Sequence, residues 1–392
     1  MEKKNQIPKY PHLRFPEFTD EWKEVKLGEV LSFEVGYPFS SDAFNEEGNG
    51  VRLIKNRDLK ADDRVVFYGG EYDAQYIVQN GDILIGMDGD FSPCLWKKGK
   101  ALLNQRVGRV NANQNTSRVF ILYVLVDSLK KIEHKTSSTT VKHLSHKDVE
   151  KIKASLPSLA EQKKIAALFS LIDERIEVQN AIIKEQEALK ASLLRRLFDR
   201  TLRFPEFTDE WKEYQNSEVF EIISEKNTDL KYSNVVSASM NHGVVLRDEI
   251  GIDIKYEQEN IRGYKVVRDG DYIVHLRSFQ GGFAFSRLNG ICSPAYTILR
   301  PRPNMLEYGF LEAYFYSSRF ITSLKQVTYG IRDGRSISIG EWMQEKTSLP
   351  SLPEQRKIAD LLSAVDELIA VEKEYATLLQ KQKAYLLRQM FV

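Results

Sequence analysis

SLPSLAEQKKIAALFSLIDERI, residues 155–176, recurs 193 positions later as SLPSLPEQRKIADLLSAVDELI, residues 348–369, with fifteen of the 22 positions identical. Ser158-Leu159-Ala160-Glu161 and Ser351-Leu352-Pro353-Glu354 have the form of a capping box, whose side chains take up the free N–H groups of a helix start. Pro157 and Pro350 stand just before it and stop any preceding strand. After the first cap come Ile165, Leu168, Ile172, Ile176, Ile183, Leu189, Leu193 and Leu197; after the second come Ile358, Leu361, Val365, Leu368, Leu379 and Leu386. Steps mostly of three, four and seven predict one apolar stripe per helix. Gln179 and Gln186 dilute the first stripe and Glu372 the second. Each run is about 35–40 residues, ~55 Å at the α-helical rise. Helices this long draw most of their stability from packing, so the two are expected to pair. They run antiparallel if a pseudo-dyad relates the two halves of the chain.

A second duplication precedes each block. LRFPEFTDEWKE stands at Leu13–Glu24 and, unchanged, at Leu202–Glu213. Gly81-Asp82 and Gly270-Asp271 share the same offset of 189. A period this long marks two whole domains, because solenoid repeats run to tens of residues. The expected organisation is a block over residues 1–157, a long helix over 158–198, a second block over 199–350 and a second long helix over 351–392. Short runs rich in Val, Ile, Phe and Tyr between Gly, Asn and Asp turns predict strands in both blocks. Val119–Lys135 and Tyr308–Gln326 are expected to be helical. The fold class is therefore α+β: two tandem mixed α/β domains joined by two long antiparallel helices, pseudo-two-fold symmetric.

The composition is that of a globular protein, with 42% hydrophobic and 28% charged residues and a net charge of +1. No run of about 18 apolar residues predicts a membrane span. The stretch MEKKNQIPKYPHLRFPEF has no apolar core of a secretory signal. A cytoplasmic protein is expected. Cys94 and Cys292 are too few for a disulfide framework or a zinc site and read as small hydrophobes. Phosphate-loop, dinucleotide-binding, zincin and serine-hydrolase motifs are missing, as is the Asn/Asp-Pro-Pro-aromatic motif of amino-methyltransferases. His143-x-x-His146 lacks a third ligand nearby, and Asp88 and Asp90 in GMDGDF read as an acidic turn. The second copy has HLRSF in place of that turn. A shared active site would not differ so much between copies, whereas two recognition surfaces reading different targets would.

The LRFPxFxxxW marker, the mid-domain Gly-Asp and the LPxLxEQxxI helix opening, all present twice, make the whole chain resemble the specificity subunits of type I restriction–modification systems. The resemblance implies that each variable block is a target recognition domain reading one half of a split site in double-stranded DNA. It implies an antiparallel coiled coil that fixes the gap between half-sites. Two methyltransferase subunits would dock symmetrically, and motor–nuclease subunits would join them. The chain itself would catalyse nothing and hold no cofactor; S-adenosylmethionine, ATP and Mg would belong to the partners. Phosphate and base contacts call for Lys, Arg, hydroxyl and amide side chains. The candidates are Tyr37, Lys55, Asn56, Arg57, Lys97, Lys98, Lys135, Thr139 and Lys142 in the first block. Those in the second are Asn241, His242, Arg247, Arg277, Gln280, Arg332 and Arg335. Partner docking is assigned to Phe15, Phe18, Trp22, Glu161 and Gln162 and to Phe204, Phe207, Trp211, Glu354 and Gln355. The rival reading is a duplicated protein- or glycan-binding scaffold.

Overall fold

The computed structural model describes residues 10–135, 143–239, 243–250, 258–275, 282–315, 317–329 and 336–391. Its contacts divide the chain into two units, Met1–Asn180 with Tyr375–Val392, and Ala181–Glu374. In the first unit the strands are β1 (Lys23–Lys26), β2 (Leu31–Val35), β3 (Phe44–Asn45), β4 (Val51–Ile54), β5 (Val66–Tyr68), β6 (Ile77–Val78), β7 (Ile83–Gly86), β8 (Pro93–Leu95), β9 (Ala101–Leu103), β10 (Val107–Ala112) and β11 (Lys153–Leu156). Its helices are α1 (Arg118–Lys135), α2 (His146–Glu150) and the start of α3 (Leu159–Phe198). The second unit has β12 (Lys212–Gln215), α4 (Asn216–Val219), β13 (Phe220–Ile223), β14 (Val236–Ser239), β15 (Gly243–Leu246), β16 (Lys265–Val267), β17 (Tyr272–Val274), β18 (Phe283–Phe285), β19 (Gly290–Cys292) and β20 (Thr297–Pro301). There follow α5 (Phe310–Phe315), α6 (Ser318–Ser323), β21 (Thr328–Tyr329), β22 (Ser336–Ile337), α7 (Ile339–Trp342), β23 (Lys346–Leu349) and α8 (Leu352–Met390).

Each unit is built on a four-stranded antiparallel sheet of one topology, β2-β10-β7-β8 in the first and β13-β20-β17-β18 in the second. The Gly-Asp pair makes the same turn in both. Gly81 and Gly270 adopt φ of 92° and 91°, open to glycine at no steric cost. Their N–H groups donate to the carbonyls of Trp96 and Ser286, each at 2.8 Å. A two-stranded ladder closes each unit, with Lys23 opposite Leu156 and Lys212 opposite Leu349. Beyond this frame the first block carries a five-stranded sheet, β3-β5-β4-β9-β6. In the second the pairs β15-β14 and β19-β16 follow the order of β5-β4 and β9-β6, joined by a single parallel bridge between Val235 and Ile291.

The sheet's inner face, with Phe33, Ile83, Ile85 and Val110, packs on Phe120, Ile121, Leu125 and Leu129 of α1 in the first unit. The same core takes Ile165, Ala166 and Phe169 from the start of α3 and Met390 from the end of α8. In the second unit Ile358, Ala359 and Leu362 from the start of α8 and Leu197 from the end of α3 fill the matching places. Within each unit the helix segments are antiparallel. Asp173 pairs with Lys383, and Arg175 with the Tyr375 hydroxyl. In the other unit Glu187 pairs with Lys373, and Lys190 with Asp366.

Two expectations about helices change. The buried side of α3 runs Ile165, Phe169, Ile172, Ile176, Gln179, Ile183, Gln186, Lys190, Leu193 and Leu197. On α8 it runs Ile358, Leu362, Val365, Ile369, Glu372, Ala376, Leu379, Lys383, Leu386 and Met390. Steps of four and three alternate throughout, the 3.5-residue repeat of a coiled coil rather than the 3.6 of a free helix. Leu189 and Leu368, assigned to the stripe, fall one position beside it and are 55% and 48% exposed. Residues 308–326 do not form one helix. Ser317 caps α6 by accepting the Phe320 N–H at 3.2 Å, so α5 and α6 are separate.

The end of α8 gives the first core Met390 and the partly buried Leu386, Leu387 and Phe391. At about 1.5–3 kcal/mol for each buried side chain, this loss approaches the ~5–15 kcal/mol stability of a whole domain. A chain ending at Glu374 is therefore expected to lose protease resistance across residues 10–180 while residues 181–374 stay protected. Limited proteolysis with mass mapping of the fragments checks this.

Candidate nucleic-acid and partner interfaces

The capping-box pattern is half realised. At the α3 start, Ser158 Oγ accepts the Glu161 N–H at 3.4 Å. The Glu161 carboxylate, however, turns to the dodecamer. Arg14 Nε and Nη2 donate to its two oxygens at 2.7 Å each, and Trp22 Nε1 donates at 3.3 Å. Glu354 is held identically, by Arg203 at 2.8 and 2.8 Å and by Trp211 at 3.4 Å. Glu161 and Glu354 are 1% and 2% exposed. A buried carboxylate needs paired, hydrogen-bonded partners, which the forked guanidinium supplies, and a helix start suits a negative charge. Hydrogen bonds donated to the glutamates raise the pKa of Arg14 and of Arg203. Arg14 Nη2 also donates to the Asp20 carbonyl and Arg203 Nη2 to that of Asp209, both at 2.6 Å. The dodecamer is thus folded around its own arginine.

The neighbouring glutamines act alike. Gln162 donates to Pro157 O at 2.9 Å and accepts the Ser117 N–H at 2.9 Å. Gln355 donates to Pro350 O at 3.0 Å and accepts the Glu307 N–H at 3.0 Å. Six docking candidates, Trp22, Glu161, Gln162, Trp211, Glu354 and Gln355, are therefore buried and serve the chain's own fold. Phe15, Phe18, Phe204 and Phe207 are half-buried. Lys164 lies over the Phe15 ring at 4.7 Å and Lys357 over Phe204 at 4.9 Å. Arg14, Arg203, Lys164 and Lys357 were not among the sequence candidates. Their recurrence at matching places in both copies is the signal that marks them.

A third duplication, KASLLRRLF at 190–198 and KAYLLRQMF at 383–391, ends the helices. In the first unit Ala384, Leu387 and Phe391 line a groove of about 510 Å³ with Tyr123 and Val124 of α1, edged by Lys130 and Arg388. In the second, Ala191, Leu194 and Phe198 line a groove of about 580 Å³ with Ala188, edged by Arg195 and Arg319. Ala384, Leu387, Arg388 and Phe391 correspond one for one to Ala191, Leu194, Arg195 and Phe198 of α3, at the offset of 193.

The DNA-contact candidates are scattered. Tyr37 is 47% exposed and packs its ring 5.2 Å from both Phe39 and Tyr76. Lys55 lies over Phe44 at 5.0 Å, and Arg57 is exposed, donating to Arg64 O at 3.1 Å. Lys97 and Lys98 are engaged by the chain itself: Lys97 pairs with Glu177 of α3 at 2.7 Å, and Lys98 with Asp62 at 2.9 Å. Arg247 is half-buried, just beyond β15. Thr139, Lys142, Asn241, His242, Arg277, Gln280, Arg332 and Arg335 lie outside the described residues, as does the side chain of Lys135. Among the described residues no three His, Cys, Asp or Glu side chains are grouped to hold a metal ion. No described helix is long and apolar enough to cross a membrane. Cys292 is buried, which pushes its thiol up to about 12, and Cys94 is half-buried.

A family model, Type I restriction modification DNA specificity domain, matches residues 19–188 and again 208–381. The specificity subunit of the type I restriction enzyme EcoBI of Escherichia coli is 32% identical over 271 residues, 66% of this chain and 55% of that protein. The chain thus spans little more than half the length of that relative. The specificity subunit of type I restriction enzyme MjaVIII of Methanocaldococcus jannaschii is 24% identical, covering 95% of this chain and 91% of that one. The crystal structure of a type I restriction–modification S subunit from M. genitalium matches with a TM-score of 0.61 at 15% identity, over 98% of this chain and 99% of that one. A chain from a structural study of complex assembly and conformational transition in the type I system matches at 0.53 and 17%, over 93% and 96%. At such identities the likeness is one of fold. None of these similarities favours a glycan- or protein-binding scaffold.

Replacing Arg14 or Arg203 by Ala leaves a buried carboxylate unpaired. Each is expected to cost about 3 kcal/mol, seen as a lower unfolding midpoint in urea, with Lys recovering only part because it cannot fork. Equal losses at the two sites are expected, since their geometry is equal.

Proposed function

The chain belongs to the type I restriction–modification DNA specificity family, and on that premise we propose that it is a non-catalytic subunit whose two variable blocks each read one half of a two-part site in double-stranded DNA. Two methyltransferase subunits dock on it at equivalent surfaces, and motor–nuclease subunits join that assembly. S-adenosylmethionine, ATP and Mg serve the partners, and this chain needs no cofactor of its own. The gap between the half-sites follows from the lengths of α3 and α8. The protein works in the cytoplasm.

One observation carries this reading: the frame is duplicated to the hydrogen bond, while the blocks it carries differ in sequence, as where Arg277 stands at the place of Asp88. Arg–Glu–Trp clamps, half-exposed phenylalanines under a lysine, and the two terminal-helix grooves recur. Two copies of one partner require one surface offered twice. Two different half-sites require two different readers. The Phe15/Phe18 and Phe204/Phe207 patches and the grooves at Leu387 and Leu194 are the surfaces left open for that partner. Arg388 and Arg195, at the same place on each groove, suit an apolar segment that carries a carboxylate.

Exchanging residues 214–347 for the block of another specificity subunit is expected to change one half of the methylated motif, mapped by methylation-sensitive sequencing, and to leave the other half intact. A change in both halves, or in neither, contradicts the two-reader reading. Leu387→Glu and the exposed Arg388→Glu are each expected to reduce the complex from two methyltransferase copies to one in native mass spectrometry. Leu194→Glu and Arg195→Glu are expected to do the same at the other groove.

A further inference from the structure

Four segments of the first block meet at Asp88. Asp88 follows β7, and its carbonyl accepts the Asn56 Nδ2 hydrogen bond at 2.6 Å. Its carboxylate pairs with Arg106 Nη1 at 3.0 Å, from the link between β9 and β10. It also accepts from His143 Nδ1 at 2.9 Å, from the segment before α2. The backbone ties these segments together, since Met87 N–H donates to Arg106 O at 3.0 Å and Leu144 N–H to Met87 O at 2.8 Å. Asn56 is seated so closely that a Cβ on Gly86 would meet its Oδ1 at 1.8 Å. Next door, Lys60 pairs with Asp90.

Stability does not account for the cluster. Arg106 and His143 side chains are 57% and 52% exposed, and exposed pairs contribute about 0–1 kcal/mol. What Asp88 achieves is position. It fixes two exposed donors at set places and, among the described residues, engages only Nη1 of Arg106 and Nδ1 of His143. Among the described residues nothing engages the Nε–Nη2 edge of the guanidinium or the Nε2 of the imidazole. A guanidinium edge held at fixed orientation matches the O6 and N7 acceptors of guanine in a major groove.

We infer that this cluster is a base-reading site for a guanine in the half-site of the first block, with Arg106 the reading residue, His143 beside it, and Asp88 and Asn56 positioning residues. The inference rests on the proposed reading of DNA halves by the blocks. The site belongs to one block: in the sequence alignment Arg277 stands where Asp88 stands. A reader of one half should differ in this way from its counterpart.

The test uses the chain in complex with its methyltransferase partner, with Arg106→Ala, Arg106→Lys, Asp88→Asn and His143→Ala. Arg106→Ala is expected to relax one G·C position in one half of the methylated motif, with discrimination there falling about 10–100-fold. The other half and the gap should be unchanged. Arg106→Lys should relax the same position, because Lys keeps the charge but not the fork. Asp88→Asn should relax it too and add nothing when combined with Arg106→Ala, at an unchanged thermal midpoint. His143→Ala should relax the same base pair or its neighbour. An unchanged motif in Arg106→Ala overturns the inference. So does uniform weakening across all sequences with a shallower salt dependence, the mark of a phosphate contact. So does Asp88→Asn lowering the melting temperature and weakening both halves alike. A wild-type complex that directs no two-part motif would instead sink the parent reading of the chain.

Discussion

A buried carboxylate at the start of each long helix governs this structure. Glu161 and Glu354 cannot remain charged inside the protein without partners, and the dodecamer about 150 residues earlier in the chain supplies them. The forked arginine and the indole N–H reach the same oxygens in both units, within a tenth of an ångström. Each clamp therefore joins the first segment of a unit to the helix that leaves it. The ladders β1–β11 and β12–β23 then close beside it in the same register. Remove the arginine and the fold must either bury a lone charge or open its seam.

Around the clamps the frame repeats in aromatic packing as well. Trp22 meets Phe120 edge-on at 6.1 Å, and Trp211 meets Phe310 at 6.4 Å. Phe391 stacks on Phe120 at 5.1 Å, and Phe198 packs against Phe310 at 5.6 Å. The backbone pairing beside the dodecamers repeats too: Leu202 N–H donates to Arg196 O at 3.0 Å, and Leu13 N–H to Gln389 O at 2.9 Å. Polar residues at seam positions, Gln179, Gln186, Lys190, Glu372 and Lys383, give up some apolar burial. In coiled coils such residues specify register, because any slip would strand them.

The blocks use the opposite strategy. Their shared part comprises the four-stranded sheet, the Gly-Asp turn, whose aspartates meet Arg109 at 3.7 Å and Arg300 at 2.8 Å, and the strand order next to it. Outward from there, exposed side chains are held by short local networks that contribute little to stability. Lys97 and Lys98 are consumed by pairs within the chain, so a basic residue in a variable block is a weak sign of contact. A donor anchored on one edge and open on the other, as at Arg106, is a stronger one.

The sequence by itself determined the duplication, the mixed α/β blocks, the long helices and their starts, because identical words at fixed offsets and apolar periodicity are properties of the string. It also pointed to the family. It could not say which face of the repeated words turns inward. Trp22, Glu161 and Gln162 read as surface because conservation between copies suits docking and burial equally; only the approach of Arg14 to Glu161 separates the two. The stripe through Leu189 and Leu368 drifted because a free helix turns every 3.6 residues, and only a partner helix imposes 3.5. The split of residues 308–326 and the convergence at Asp88 were likewise decided by tertiary structure, since they depend on contacts between segments that no local pattern records.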